Sequence, residues 1–158
     1  MSYAVQSNQS AIALERIFRA PPARVFKAWK NEAEFIRWFG ATDSRPSMVQ
    51  LDFRVGGSWR ALFGPSDSPE TYLTGEYLEI EENTKIVFTW NYVRCFPVAE
   101  AYRSPESIVS VTLEPQGSGT RLCFEQRGVV SEDARYNVRS GWNASLTLLH
   151  NLVVGGSD

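Results

Sequence analysis

Tyr72, Tyr77, Tyr92 and Tyr102, together with Asp52, Arg54, Arg60, Glu76 and Glu79, are the side chains able to donate, accept or move a proton that lie on or beside stretches patterned as strands. A phenol or carboxyl held in an apolar space can act as a general acid or base, or can orient a bound molecule by hydrogen bonds. Strand alternation turns Arg60 away from Trp59, so Arg60 is expected on a solvated outer face. Tyr77 and Glu79 alternate against Leu78 and Ile80, and parity leaves open which pair faces inward. A glutamate inside must be paired or neutral. His150 is the one histidine, with no Ser or Cys nucleophile and no ordering carboxylate at a triad spacing. It reads as a surface residue near a helix C-terminus. Cys95 and Cys123 form neither a disulfide framework nor a zinc spacing and are expected to be reduced.

Other signatures are missing. The chain has no His-Glu-x-x-His, no Walker-type loop, no dinucleotide glycine fingerprint and no clustered metal ligands. Gly56-Gly57-Ser58 precedes a strand and not a helix, so it is not read as a phosphate loop. These features disfavour a hydrolase, kinase, dehydrogenase or metalloenzyme. No catalytic residue is assigned, and no cofactor or metal is expected.

Aromatic residues are a stronger signal, with five Trp, six Tyr and nine Phe. Trp59, Ala61 and Phe63 alternate along one predicted strand; Phe88, Trp90 and Tyr92 alternate along another. Trp142 on the last helix is expected to face them, with Trp29, Trp38 and Phe39 supplied by two short helices and Tyr77 by a further strand. Any one of these is ordinary core material. As a group their indole and phenol edges need partners, which suits the wall of a ligand space better than a dry aliphatic core. These eleven residues are the predicted pocket lining, with Ala61 leaving room between two large rings.

The elements that must position them follow from periodicity. Ala11–Arg19 alternates as a strand, and the polar residues before it are expected to fray. Pro21-Pro22 opens a short amphipathic helix carrying Val25, Phe26 and Trp29, and a second helix carries Phe35, Ile36, Trp38 and Phe39 before Gly40 stops it. From Met48 the chain reads as strands: 47–55, then 58–63 through a two-residue hairpin at Gly56-Gly57, then 71–81, 85–92, 107–115 and 120–127. The last element begins at Ser131 as N-cap, with Glu132 and Asp133 in the first turn. Val138, Trp142, Leu146, Leu149 and Val153 form its apolar stripe. Gly141 interrupts that helix, and a close neighbouring group is expected there. The layout implies an α+β domain: a curved antiparallel sheet of about seven strands, covered by two short N-terminal helices and a long C-terminal helix.

At 158 residues the chain reads as a single domain over 1–158, with an ordered core from about 11 to 154, large enough to bury a core without staples. A net charge of −2 and a pI near 5.5 argue against a nucleic-acid partner. No secretory pattern opens the chain and no apolar run nears the ~20 residues of a membrane span, so a cytoplasmic protein without membrane contact is expected.

Five stretches carry a resemblance: "APPARVFKAWKNEAEFIRWFG", "DFRVGGSWR", "GEYLEI" with "KIVFTW", "GSGTRL", and "GW" followed by "LTLL". In order and spacing, from about residue 11 to 153, the chain resembles the START-like helix-grip superfamily (SRPBCC), specifically the group similar to the C-terminal domain of the heat-shock-protein ATPase activator. The resemblance implies the helix-grip fold. It leaves three functions open, because that fold serves many. These are binding of a small apolar or aromatic molecule between sheet and last helix, a cyclase- or aromatase-like enzyme using the same cavity, and a co-chaperone-like domain with a protein partner. A homodimer through an edge strand is also compatible with an open sheet.

Overall fold

A computed structural model describes residues 11–40, 44–65 and 67–155. The polar first ten residues, expected to fray, lie outside that set. Strand β1 (Ile12–Phe18) leads into helix α1 (Pro22–Lys30), where proline's fixed φ and missing N–H suit the first turn. Asn31 ends α1 and caps α2 (Glu32–Trp38), its side chain accepting the Glu34 N–H at 3.1 Å. Glu34 in turn pairs with Arg24 at 2.7 Å and Lys27 at 3.4 Å, tying the two helices together. Gly40 follows α2 at φ +106°, a conformation that favours glycine.

Seven more strands and one helix complete the domain: β2 (Met48–Leu51), β3 (Ser58–Phe63), β4 (Thr71–Glu81), β5 (Lys85–Arg94), β6 (Tyr102–Arg103), β7 (Ser107–Gln116), β8 (Gly119–Arg127) and α3 (Glu132–Gly155). All pairings are antiparallel, in the order β1-β8-β7-β5-β4-β3-β2, with β6 added to β5. The strand beyond the expected seven is β6, whose two residues are too short to show a period. No described helix is long and apolar enough to cross a membrane.

Two local expectations need correction. β2 ends at Leu51, and Asp52–Gly57 as a whole connects it to β3, so Gly56-Gly57 is not a two-residue hairpin turn. The two glycines extend pairing onto β4 instead: Gly56 N–H donates to the Tyr77 carbonyl and Tyr77 N–H donates to the Gly57 carbonyl, both at 2.9 Å. On β4, Tyr77 pairs with Phe88 but Glu79 pairs with Val87, leaving Leu78 as a bulge. The bulge breaks parity. Tyr77 is buried, Leu78 is exposed, Glu79 pairs with Lys85 at 3.3 Å, and Ile80 packs back on the core. Burial, then the charges of Asp52 and Glu32, push the Tyr77 phenol pKa up, so it stays neutral.

Helix α3 lies across the sheet, with α1 and α2 against it. Ser131 caps it as expected, its Oγ accepting the Ala134 N–H at 3.0 Å. From β1, Arg16 donates to the Asn143 carbonyl (3.1 Å) and side-chain oxygen (3.0 Å) and to Thr147 Oγ1 (3.2 Å). Under the helix is an aromatic core. Trp29 stacks on Trp142 with centroids 6.0 Å apart and meets Trp38 edge-on at 4.7 Å. Trp59 lies edge-on to Phe88 at 5.4 Å and donates its indole N–H to the Thr89 carbonyl at 3.0 Å. The glycine at position 75 makes this possible, because a Cβ there would collide with the same carbonyl oxygen and stand 2.5 Å from the indole nitrogen.

A polar thread runs through this core. Trp142 N–H donates to Gln126 Oε1 at 2.9 Å, Gln126 Nε2 donates to Ser107 Oγ at 2.8 Å, and Ser107 Oγ donates to the Trp90 carbonyl at 3.3 Å. Gln126 is wholly buried, and each of its hydrogen bonds replaces one it would make with water.

Two stability measurements check these points. Gly75→Ala should lower unfolding stability by about 3 kcal/mol in urea titrations. Adding Trp59→Phe should not rescue it, because the collision is with backbone. Gln126→Leu should cost about 1–3 kcal/mol by orphaning the Trp142 N–H. The double change Gln126→Leu with Trp142→Phe should cost less than the sum of its parts.

Candidate functional site

The gap between α3 and the sheet is filled along one half and hollow along the other. Along α3 the inward stripe carries Leu146, Leu149 and Val153 toward the C-terminus, all buried. Toward the N-terminus the same stripe carries Ala134, Asn137, Val138, Gly141 and Ser145, and here a cavity of about 600 Å³ opens. That volume falls within the usual range of small-molecule sites. Its other walls come from Phe39, Gly40 and Ser44, from the ends of β3, β4 and β5, from Tyr102 of β6, from Ser104, Pro105 and Ser107, and from Gly128–Ser131.

Of the eleven predicted lining residues, Phe39, Phe63, Trp90, Tyr92 and Trp142 border the cavity. The remaining six, Trp29, Trp38, Trp59, Ala61, Tyr77 and Phe88, do not border it and are core. Their positions have physical reasons. The indoles of Trp38 and Trp59 find backbone acceptors at Ala28 (2.9 Å) and Thr89 (3.0 Å), so these polar edges serve the fold. Ala61 is fully buried near β2, where α2 packs on the sheet, so no ligand space lies beside it. Trp29, Trp59, Tyr77 and Phe88 surround a second space of only about 10 Å³, room for no more than one water.

The cavity wall is apolar at its inner end and more polar toward its mouth. Phe39 and Trp142 meet edge-on at 5.5 Å, and Phe124 supports Trp142 from beneath at 4.6 Å. Ser145 fastens α3 to the end of α2, accepting the Gly40 N–H at 3.0 Å and donating to the Gly40 carbonyl at 3.1 Å. Trp90 is buried and borders the cavity, yet its indole N–H has no acceptor among the described residues. Toward the mouth stand Tyr92, Arg94, Tyr102 and Ser104.

Of the acid and base candidates, the phenols Tyr92 and Tyr102 border the cavity and the charged groups lie elsewhere. Asp52, Arg54, Arg60 and Glu76 are exposed, and Glu79 faces Lys85. His150 meets the Phe18 ring edge at 5.5 Å, and burial, then the charges of Arg19 and Arg16, hold its pKa below the usual imidazole value. Cys95 and Cys123 are free thiols. Among the described residues, no group of three or more His, Cys, Asp or Glu side chains is placed to hold a metal.

On the α3 side of the cavity sequence reasoning named only Trp142, although the signal for the rest is present. Ala134, Asn137, Gly141 and Ser145 fall at helical spacing on the same stripe as Val138 and Trp142, so a run of small and polar residues replaces large ones over three turns. Gly141 was expected to meet a close neighbour. It has none: nothing lies within 4 Å of a Cβ built there. Arg94 and Ser104 were harder to find, since their place at the cavity depends on the pairing of β6 with β5; Tyr102 of β6 was named only as a hydroxyl able to serve the site.

The family model described as "Activator of Hsp90 ATPase homolog 1-like protein" matches residues 19–153. Among curated proteins there is no significant match. The fold is shared with solved structures, among them a protein from Chromobacterium violaceum with 27% identity and a TM-score of 0.77, covering 92% of this chain and 97% of that one. The AHSA1 protein from Silicibacter pomeroyi is similar at 23% identity and a TM-score of 0.76, covering 91% and 97% of the two chains. CalU16 from Micromonospora echinospora shares 24% identity with a TM-score of 0.65, covering 90% of this chain and 75% of that one. With the family model spanning both the aromatic core and the cavity, and with α3 gripped by the curved sheet, the chain belongs to the Activator of Hsp90 ATPase homolog 1-like family and has the START-like helix-grip fold.

Proposed function

We propose that this protein binds a small, largely apolar or aromatic molecule in the cavity between the sheet and the first half of α3. The observation that carries this reading is the cavity of about 600 Å³ itself, lined by Phe39, Phe63, Leu73, Trp90, Val138 and Trp142, with Ala134, Gly141 and Ser145 of α3 too small to fill it. Transfer of an apolar body into such a space is favourable by roughly 25 cal/mol for each Å² removed from water. Orientation then falls to a few polar groups: Tyr92, Ser104, Asn137 and the unpaired Trp90 N–H. We propose a small molecule as the partner in preference to a nucleic acid or a membrane, in keeping with the net charge of −2.

An enzyme of the cyclase or aromatase kind is less well supported. Its proton transfers need a positioned acid or base; Tyr92 and Tyr102 put phenols on the wall, but no Asp or Glu borders the cavity among the described residues. A protein-interaction role has no comparable observation behind it.

Gly141→Leu separates binding from folding. Leucine is a better helix former than glycine by about 1 kcal/mol, and the new side chain would enter empty space. The urea midpoint should hold or rise. Fluorescence titration with the neutral apolar probe N-phenyl-1-naphthylamine should show saturable binding by the native protein and its loss in Gly141→Leu. Equal binding by both proteins would place the probe outside the cavity and overturn the reading.

A further inference from the structure

We propose that the bound molecule is an amphipathic acid, whose anionic group is held by Arg94 at the cavity mouth while its apolar body lies against Trp90 and Trp142. This rests on the small-molecule reading above and adds to it the chemical class of the ligand.

Arg94 is the one charged side chain bordering the cavity among the described residues. Among the described residues, six of the sixteen Lys and Arg side chains, Arg24, Lys27, Arg54, Lys85, Arg121 and Arg127, pair with a carboxylate, so what distinguishes Arg94 from the other unpaired cations is its place on the cavity wall. Arg94 makes no ion pair within 4.0 Å among the described residues. Glu100, a carboxylate whose charge acts on Arg94 through space, is exposed and does not border the cavity. Glu132 and Asp133, in the first turn of α3, are likewise exposed and outside the lining.

The position of Arg94 matters as much as its charge. Along β5, alternate residues Phe88, Trp90, Tyr92 and Arg94 pass from dry core to cavity wall to cavity mouth, with exposure rising from 4% at Phe88 to 9% at Trp90 and then to half-buried at Tyr92 and Arg94. One face of one strand therefore presents to the cavity indole, then phenol, then guanidinium, which is the polarity sequence of an amphiphile lying tail-inward. Around Arg94 stand hydroxyl groups: Tyr92 beside the guanidinium, Tyr102 opposite it on β6, and Thr71 opposite it on β4. All three border the cavity and can donate to an anion whose other oxygens the guanidinium holds. A neutral ligand would make little use of this group, and a cationic one would be repelled by it.

The test uses two probes that differ in one group. 1-Anilinonaphthalene-8-sulfonate carries the aromatic body of N-phenyl-1-naphthylamine plus a sulfonate. In fluorescence titrations of the full chain, the sulfonate probe should bind the native protein about tenfold or more tighter than the neutral one, the scale of a charge-assisted hydrogen bond. Arg94→Gln should remove that advantage, weakening the sulfonate probe about tenfold more than the neutral probe. Added salt should weaken only the sulfonate probe. Arg103→Gln, an exposed neighbour outside the lining, should leave the ratio unchanged. Matching urea midpoints for the variants and the native protein exclude misfolding. If Arg94→Gln weakens both probes equally, or neither, the anion proposal is overturned while cavity binding stands. Failure of both probes to bind the native protein would overturn both.

Discussion

Trp142 is the point on which the interior turns, and its hydrogen bond to Gln126 decides where that indole stands. A buried indole N–H left without an acceptor costs free energy, and for Trp142 Gln126 on β8 supplies one while Ser107 on β7 and the Trp90 carbonyl on β5 complete the chain. Three strands and α3 are thereby locked in one register. With the ring fixed, Trp29 stacks on it and Phe39 and Phe124 close around it. The inner wall of the cavity is thus also the outer wall of the core.

The two halves of the interior differ because side-chain volume along α3 differs. A helix crossing a curved sheet has a fixed distance to span, and Leu146, Leu149 and Val153 span it where Ala134, Gly141 and Ser145 do not. On the sheet side, β4 carries a bulge at Leu78 and lacks a side chain at Gly75. Neither feature touches the cavity, and Trp59 closes over Gly75 with its hydrogen bond to Thr89. Solid packing at one end allows the other to remain open without loss of the fold.

Most of the architecture was legible in the sequence because it rests on local chemistry. Proline at the start of α1, Gly40 after α2, Ser131 at the head of α3 and the alternation of β7 and β8 each act through their own neighbours. The cavity was only partly legible. Aromatic residues signal buried surface in general, and nothing in the local pattern of Trp59 says that its indole is taken by Thr89, thirty positions away. Parity failed at Tyr77 and Glu79 because one bulged residue between them reverses the alternation. Gly141 signalled a special place in α3, but an exceptional glycine marks empty space as readily as crowding, and only the tertiary fold tells the two apart.

The fastening of α3 is uneven, and this has a mechanical consequence. Arg16 grips it at Asn143 and Thr147, Ser145 clasps Gly40, and the leucines beyond are buried. Before Trp142 the helix has Val138 half-buried over the cavity and Tyr136, Asn137, Arg139 and Ser140 exposed. It is a cantilever, clamped over its second half and overhanging a void with its first. Apart from Arg135, which donates to the Val129 and Val130 carbonyls at 3.0 Å, little holds that first half down. The roof of the cavity is therefore the least fastened length of α3.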